Sequence, residues 1–347
     1  DNDMEKSINK MGTMPVNKLM LTIGAPMIIS MVLQAVYNIV DSAFVSNMQG
    51  TGEMALNALT LAFPIQMLMV AVSIGTGVGT NALLSRCLGM GDSKKAARVG
   101  GNAMFLAIII YVLCLIFGIF GVGVYIGTQT TNSQIYDMAT DYLRICSVIS
   151  MGIVFFSIFE KMLQATGRSL YSTIAQILGA VTNMILDPIL IFGLFGAPKM
   201  GVTGAAIATV IGQCVAGIVA AACNHKYNHD VKLSFKGFKP DLKIIGTIYA
   251  VGVPSIIMQS IGSIMTYCMN RILIEFSSTA TAVFGVYFKL QSFFFMPVFG
   301  LNNGITPIIA YNYGAKQRKR MIHTIKLSMA VAFCLTFVGF IAFDAIP

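Results

Sequence analysis

The chain has 347 residues, of which 56% are apolar and only 11% are charged, and its net charge is +9. A soluble domain carries about 25% charged residues, so this composition and a mean hydropathy of +0.77 exclude an ordinary water-soluble protein. The lysine and arginine residues lie in loops between long apolar runs, without a basic stripe that interleaves with exposed aromatic residues, which argues against nucleic-acid binding.

Nine apolar runs follow one another along the chain, and each is long enough to cross a bilayer as a helix, which takes about 20 residues. The first run is too long for the apolar part of a cleavable signal peptide. The sequence therefore predicts an all-α polytopic membrane protein. Its spans are expected near 16–45, 55–86, 96–127, 134–165, 169–195, 201–225, 245–276, 279–312 and 321–345.

The loops between these runs differ strongly in charge. Basic clusters such as Lys94 with Lys95 and Arg318 with Lys319 occupy alternate loops, whereas the remaining loops hold almost no basic residues. Loops that are rich in lysine and arginine normally lie in the cytoplasm. We therefore expect a multi-pass protein of the plasma membrane with a cytoplasmic N-terminus.

Two stretches of the chain resemble each other at a separation of 225 residues, and the first and seventh runs match at a slightly larger separation. A repeat of this length holds six helices, an even number, so both copies keep the same orientation in the membrane. The matching residues are Phe63, Gln66, Gly75, Gly79 and Gly89 with Phe288, Gln291, Gly300, Gly304 and Gly314, and Gly24 and Pro26 with Gly252 and Pro254.

The repeat predicts two parallel six-helix lobes, the second of them truncated. The first lobe should occupy residues 1–225, a basic cytoplasmic linker residues 226–243, and a partial second lobe of three helices residues 244–347. A complete second copy would need roughly 100 more residues, so we expect the chain to be a piece of a longer protein.

Asp41 is the most informative charged residue within a predicted span, because ionisable groups inside a membrane are costly and are functional candidates by default. It lies in the first span with Gln34, Tyr37 and Asn38, at spacings that place all four polar groups close to one helical face. A count from Lys18 at roughly 1.5 Å per residue puts Asp41 in the outer half of the membrane. The alternative is a carboxylate that merely touches water at the outer helix end.

Asp187 is the second candidate. It lies one helical turn after Asn183 in the fifth span, also in the outer half, and Pro188 frees a backbone carbonyl nearby. Two carboxylates at similar depth on different helices suggest one shared cavity. The alternative is two unrelated polar groups, each with its own partners.

Two other charged positions have several interpretations. Glu160, beside Lys161 near the cytoplasmic end of the fourth span, is expected to be interfacial. Lys289 in the eighth span pairs with a carboxylate, faces a central cleft, or extends its side chain to the interface. The sequence contains no motif for a metal ion or an organic cofactor, and no catalytic cluster of serine, histidine and aspartate.

Several of these segments together resemble the multidrug and toxic compound extrusion (MATE) transporters, and the resemblance covers nearly the whole chain. It implies twelve helices in two six-helix lobes and cation-coupled efflux of organic cations. The similar segments are Gln34-Ala-Val-Tyr-Asn-Ile-Val-Asp41, Leu84-Ser-Arg86-Cys-Leu-Gly89-Met-Gly91-Asp92, Asn183 to Gly193, Gly201 to Thr209, and Met296-Pro297-Val-Phe-Gly300-Leu301.

The resemblance to the branch with an acidic first lobe implies that Asp41 and Asp187, with Asn183 beside them, bind the coupling proton or sodium ion. Pro26, about four turns before Asp41, is the expected bending point of the first helix. Another branch uses a glutamate in the seventh helix, where this chain offers only Gln259. The residues expected to contact substrate are Gln34, Tyr37, Asn38, Tyr142, Thr209 and Lys289.

The favoured function is therefore secondary active multidrug efflux by antiport of organic cations against protons or sodium ions, without an organic cofactor. The expected partners are a small-molecule drug or amphiphilic cation and the lipid bilayer, and the expected state is a monomer. A lipid-linked precursor flippase of the same superfamily is the alternative, and it would need a strongly cationic cavity. A membrane-embedded enzyme or channel would need a catalytic set or a ring of like charges, and the sequence shows neither.

The predicted orientation is testable by cysteine labelling in a cysteine-depleted background. An impermeant thiol reagent added to intact cells should modify Thr130→Cys in an external loop and leave Lys236→Cys in the basic loop untouched. The reverse pattern would overturn the orientation, and labelling of both positions after permeabilisation is the control.

Overall fold

The computed structural model describes residues 10–228, 231 and 238–346, and within these ranges the chain is helical and contains no strand. A short 3-10 turn, Leu194–Gly196, follows α8. The helices are α1 (Lys10–Thr13), α2 (Val16–Ser46), α3 (Gly52–Gly89), α4 (Ser93–Phe120), α5 (Val122–Gln129), α6 (Ser133–Val148), α7 (Met151–Ala165), α8 (Ser169–Phe192), α9 (Val202–Tyr227), α10 (Leu242–Phe276), α11 (Ser278–Gly314) and α12 (Arg318–Ala345).

Eight of these helices contain a segment long and apolar enough to cross a membrane, and α6 with α7 forms a ninth candidate. The predicted class, an all-α polytopic membrane protein, is confirmed. The prolines inside α2, α3, α8, α10 and α11 do not end these helices. In particular, α2 continues through Pro26 as one helix.

Two predicted spans are interrupted. The fourth is a pair of helices, α6 and α7, bent by 46°. The bend brings Gly152 directly against the backbone of α9, where an added Cβ would stand 2.6 Å from the amide nitrogen of Cys214. Serine and glycine near a bend are a common cause of such kinks. The third predicted span ends as α4 at Phe120, and the short helix α5 follows Gly121.

The helix α3 is central to the packing of the described chain. It packs against α4, α6 and α7 on one side and against α10 and α11 on the other, while α2 packs against α8 and α11. The interface between the first six predicted spans and the last three is therefore formed mainly by α2 and α3 with α10 and α11.

Glycines at this interface repeat the same contact in both directions. A Cβ added to Gly89 would stand 2.1 Å from the carbonyl oxygen of Tyr311, and one added to Gly314 would stand 2.2 Å from the carbonyl oxygen of Arg86. Gly89 and Gly314 are 225 residues apart, and so are Arg86 and Tyr311. The ends of α3 and α11 thus cross as two copies related by a two-fold axis would cross.

The contacts of α3 with α10 and of α11 with α2 are matched by the repeat in the same way. A Cβ on Gly75 of α3 would stand 2.2 Å from Cγ1 of Ile256 in α10, and one on Gly300 of α11 would stand 2.9 Å from Cα of Ile28 in α2. Gly75 and Gly300 are matched residues of the repeat, and Ile28 and Ile256 have the same separation as Gly24 and Gly252. These contacts are those expected from two parallel copies, and the lobe limits at 225 and 244 stay a prediction.

The predicted linker packs onto α4 where it is described. α9 continues to Tyr227 and α10 begins at Leu242. Residues 229–230 and 232–237, including the labelling position Lys236, lie outside the described residues. Val231 is buried in an apolar cluster with α4, and Asp241 forms an ion pair with Arg98 of α4.

The close contact between α3 and α10 predicts a position-specific effect of added volume. A Cβ on Gly79 would stand 2.0 Å from the carbonyl oxygen of Ile248, whereas one on Gly246 would have no atom within 4 Å. We expect Gly79→Ala to destabilise the protein by about 1–3 kcal/mol. Gly246→Ala should leave stability unchanged or raise it by roughly 0.5–1 kcal/mol. Thermal unfolding of both purified variants measures this, and equal melting temperatures would contradict the described contact.

Candidate functional site

The structure brings Asp41 and Asp187 together. Asp41 of α2 is 8% exposed and Asp187 of α8 is 0% exposed, and their carboxyl groups lie within hydrogen-bonding range of each other. Asp41 is therefore buried against a second carboxyl group rather than exposed at the outer end of its helix. The two alternatives that the sequence left open for these residues, surface exposure and unrelated positions, do not describe this geometry.

Several oxygen atoms of this pair and its neighbour have no donor. Oδ1 of Asp41, Oδ1 of Asn183 and both carboxyl oxygens of Asp187 accept no hydrogen bond from any residue that the structure describes. Two ionised carboxylates are both acceptors, so their contact becomes a hydrogen bond only when one of them carries a proton. Each buried polar group without a partner costs roughly 1–3 kcal/mol.

This set of oxygens fits either of two small cations. One proton shared between Asp41 and Asp187 converts a repulsive contact into a hydrogen bond. Alternatively, carboxylate and amide oxygens are the ligands that hard cations accept, and Asn183 contributes a neutral oxygen of this kind. Either cation lowers the negative charge of the pair by one unit.

Other predicted residues line the same region from α6 and α9. The hydroxyl of Tyr37 donates to Oγ1 of Thr209 at 3.5 Å, a long and weak hydrogen bond. Tyr142 is 4% exposed and Thr209 is 3% exposed. Tyr142 is close enough to Asp41 and Tyr37 to interact with them electrostatically. The site therefore draws on α2, α6, α8 and α9.

Gln66 of α3 belongs to this region, although the sequence marked it only as a repeated residue. Its side-chain nitrogen donates to the hydroxyl of Tyr142 at 3.3 Å. A glutamine in the middle of a long apolar run is the signal that could have identified it, because an amide in a membrane span needs a polar partner.

The remaining predicted residues have less defined positions. Gln34 is half-buried on α2, three residues before Tyr37. The side chains of Asn38 and Lys289 lie outside the described residues, and only their places on α2 and α11 are known. Pro26 lies on the same helix as Asp41, toward its N-terminal end, and its carbonyl oxygen accepts a hydrogen bond from α8.

The expectation that Glu160 is interfacial stays a prediction, whereas its neighbour Lys161 is buried, which the sequence did not indicate. Lys161 is 2% exposed, and its ammonium group donates to Oε1 of Gln164 at 3.1 Å. Gln164 in turn donates to Glu160, whose carboxylate lies 3.8 Å from the Lys161 nitrogen. A Cβ added to Gly77 of α3 would stand 2.6 Å from Cγ of Lys161, so the missing side chain of this glycine provides the space in which the lysine is buried.

Comparisons with known proteins agree on one family. The sequence profile of the MatE family matches residues 26–189 and 254–346. The multidrug export protein MepA of Staphylococcus haemolyticus is 27% identical over 326 residues, which cover 92% of this chain and 71% of MepA.

Solved structures of MATE transporters have the same fold. A MATE in complex with MaD3S gives a TM-score of 0.89 at 25% identity, covering 97% of this chain and 74% of that one. The outward-facing conformation of a multidrug resistance MATE family transporter of the MOP superfamily gives a TM-score of 0.89 at 26% identity, with the same coverage.

Proposed function

Since this chain belongs to the MATE family of transporters, we propose that it exports drugs of several kinds, chiefly lipophilic organic cations, in exchange for protons or sodium ions. The single observation that carries the exchange mechanism is the buried contact between Asp41 and Asp187. Multidrug export itself is supported by the family and by the similarity to MepA.

The carboxyl pair is suited to coupling because its charge changes when a small cation binds. In a medium of low dielectric constant two adjacent carboxylates strongly favour uptake of a proton or a metal cation. The oxygens without donors on Asp41, Asn183 and Asp187 supply the ligands. A cation loaded from one side of the membrane and released to the other side carries the energy of its gradient.

A cationic drug and the coupling ion would compete for the same negative charge. The hydroxyl groups of Tyr37 and Tyr142 lie within electrostatic range of Asp41, and aromatic faces attract organic cations. Once a proton or sodium ion has neutralised part of the charge, the electrostatic attraction for the drug falls. Mutually exclusive occupancy of one site gives exchange rather than cotransport.

In this proposal Pro26 is the bending point of α2, since proline is the commonest cause of a kink inside a helix. Bending would move Asp41 relative to Asp187 and change the space around the two carboxyl groups.

The N-terminus lies in the cytoplasm, following the loop charges, and the protein acts as a monomer in the plasma membrane.

Replacement of the carboxylates tests the proposal. Asp41→Asn cannot gain or lose a proton and removes one negative charge, so gradient-driven efflux of a fluorescent cation from vesicles should fall to the rate without a gradient. Asp187→Asn should weaken efflux severely. Proton and sodium gradients, imposed separately on the full-length protein, identify the coupling ion.

Asp141→Asn is the matched control, because this carboxylate is exposed on α6, one residue before Tyr142. It should transport at the wild-type rate. Wild-type efflux by correctly inserted Asp41→Asn would eliminate the proposed coupling site, and Lys289 and the second lobe would become the next candidates.

A further inference from the structure

Three polar side chains of α8 donate hydrogen bonds to backbone carbonyl oxygens on successive turns of α2. Oγ of Ser169 donates to the carbonyl oxygen of Ile23 at 3.1 Å, and Oγ1 of Thr173 donates to that of Pro26 at 2.9 Å. Nε2 of Gln176 donates to the carbonyl oxygen of Ser30 at 3.3 Å. We call Ser169, Thr173 and Gln176 the α8 ladder.

The ladder differs from the common pattern of hydroxyl groups in membrane helices. Thr182, also on α8, donates to the carbonyl oxygen of Leu178 in its own helix. The hydroxyls of Ser169 and Thr173 instead reach a neighbouring helix, and the hydroxyl of Ser30 returns a bond to the side-chain oxygen of Gln176. Ser169 and Thr173 are 1% and 4% exposed, so water does not compete for their donors.

The ladder partners keep a constant separation along the chain. Ser169 and Gln176 are each 146 residues from their partners, and Thr173 is 147 residues from its partner. Asp187 is also 146 residues from Asp41. α2 and α8 therefore lie parallel and in register from the ladder to the carboxyl pair.

The residues also share one face of each helix. On α8 the ladder positions and Asn183 and Asp187 follow one another at spacings of three, four and seven residues, which is one helical stripe. From Gln176 to Asp187 the rise is roughly 16 Å. The ladder thus lies along the same contact as the carboxyl pair, between it and the N-terminal ends of both helices.

Backbone carbonyls fix an axial position in a way that apolar packing does not. Between membrane helices the hydrophobic effect supplies no driving force, so packing and side-chain hydrogen bonds set the arrangement. A slip of half a turn, roughly 2.7 Å, would separate each ladder donor from its carbonyl, and a slip of a full turn would break the bond between the side chains of Ser30 and Gln176. Either slip would move Asp187 away from Asp41.

We propose that Ser169, Thr173 and Gln176 are positioning residues that fix the register of α8 on α2 in the described conformation, in which α2 continues through Pro26 as one helix, and thereby hold Asp187 against Asp41. The structural part of this inference, the register, is independent of transport. Its functional part rests on the proposed role of the carboxyl pair in coupling.

The register is measured directly by cross-linking. In a cysteine-depleted full-length protein, Asp41→Cys and Asp187→Cys should be joined efficiently by a short bifunctional thiol reagent. Adding Thr173→Val and Gln176→Leu removes two ladder bonds and the bond returned by Ser30 at little change in volume, and we expect the cross-linked fraction to fall about fivefold. With Thr173→Ser in place of Thr173→Val, most of the cross-linked fraction should return. Thr182→Val, added to the same pair of cysteines, is the control and should leave the cross-linked fraction unchanged.

Coupling is measured on the same substitutions with both carboxylates intact. Thr173→Val with Gln176→Leu should reduce gradient-driven efflux about tenfold while drug affinity in the absence of a gradient stays near that of the wild type. A general loss of folding would lower both, so the ratio of the two separates positioning from simple destabilisation.

The outcomes distinguish the two proposals. Undiminished cross-linking without the ladder bonds overturns the register inference, whatever the transport assay shows. Reduced cross-linking with unchanged gradient-driven efflux overturns the claim that the register serves coupling. Wild-type efflux by Asp41→Asn removes the proposed function but leaves the cross-linking result, and with it the register, standing.

Discussion

Two carboxyl groups that touch in the interior of a membrane protein must be held together against their own repulsion. Water is scarce there, and the interaction of like charges grows as the dielectric constant falls. The described structure meets this constraint through the packing of two parallel helices, α2 and α8, at whose contact Asp41 and Asp187 are buried. The rest of the candidate site surrounds that contact. Thr209 of α9 is hydrogen-bonded to Tyr37 of α2, and Gln66 of α3 is hydrogen-bonded to Tyr142 of α6.

The sequence identifies the members of this site better than their arrangement. Asp41 and Asp187 are recognisable because carboxylates are costly in apolar runs, and counting residues from the basic loops already places them at similar depth. Ser169 and Thr173 of the α8 ladder give no comparable signal, since serine and threonine are ordinary residues in membrane helices. Gln176 is visible as an amide in an apolar run, but its partner is not. The significance of the ladder depends on which helix lies opposite, and that is a long-range property which no local pattern contains.

The same limit explains the other differences between expectation and structure. The bend between α6 and α7 and the burial of Lys161 both depend on glycines that permit close approach, Gly152 to α9 and Gly77 to the lysine stem. A glycine in an apolar run is visible in the sequence, but the element that fills its space is not. The spans themselves were predictable because hydrophobic length is a local property, whereas residues such as Gln66 acquire their role only from a partner on another helix.

The crossing of Gly89 and Gly314 has a mechanical consequence. Backbone meets backbone there without intervening side chains, and the matched residues place the symmetry axis between the two helix ends. Consider a rotation of the first six predicted spans against the last three about this crossing. The residues at the crossing move least, and the far ends of the helices move most. With α3 38 residues long, its far end lies roughly 55 Å away. A tilt of about 10° is then amplified to roughly 10 Å at that end. A small rotation at the crossing therefore produces a large displacement at the far end of α3. The two glycines, Gly89 and Gly314, let the helices pivot at close backbone contact.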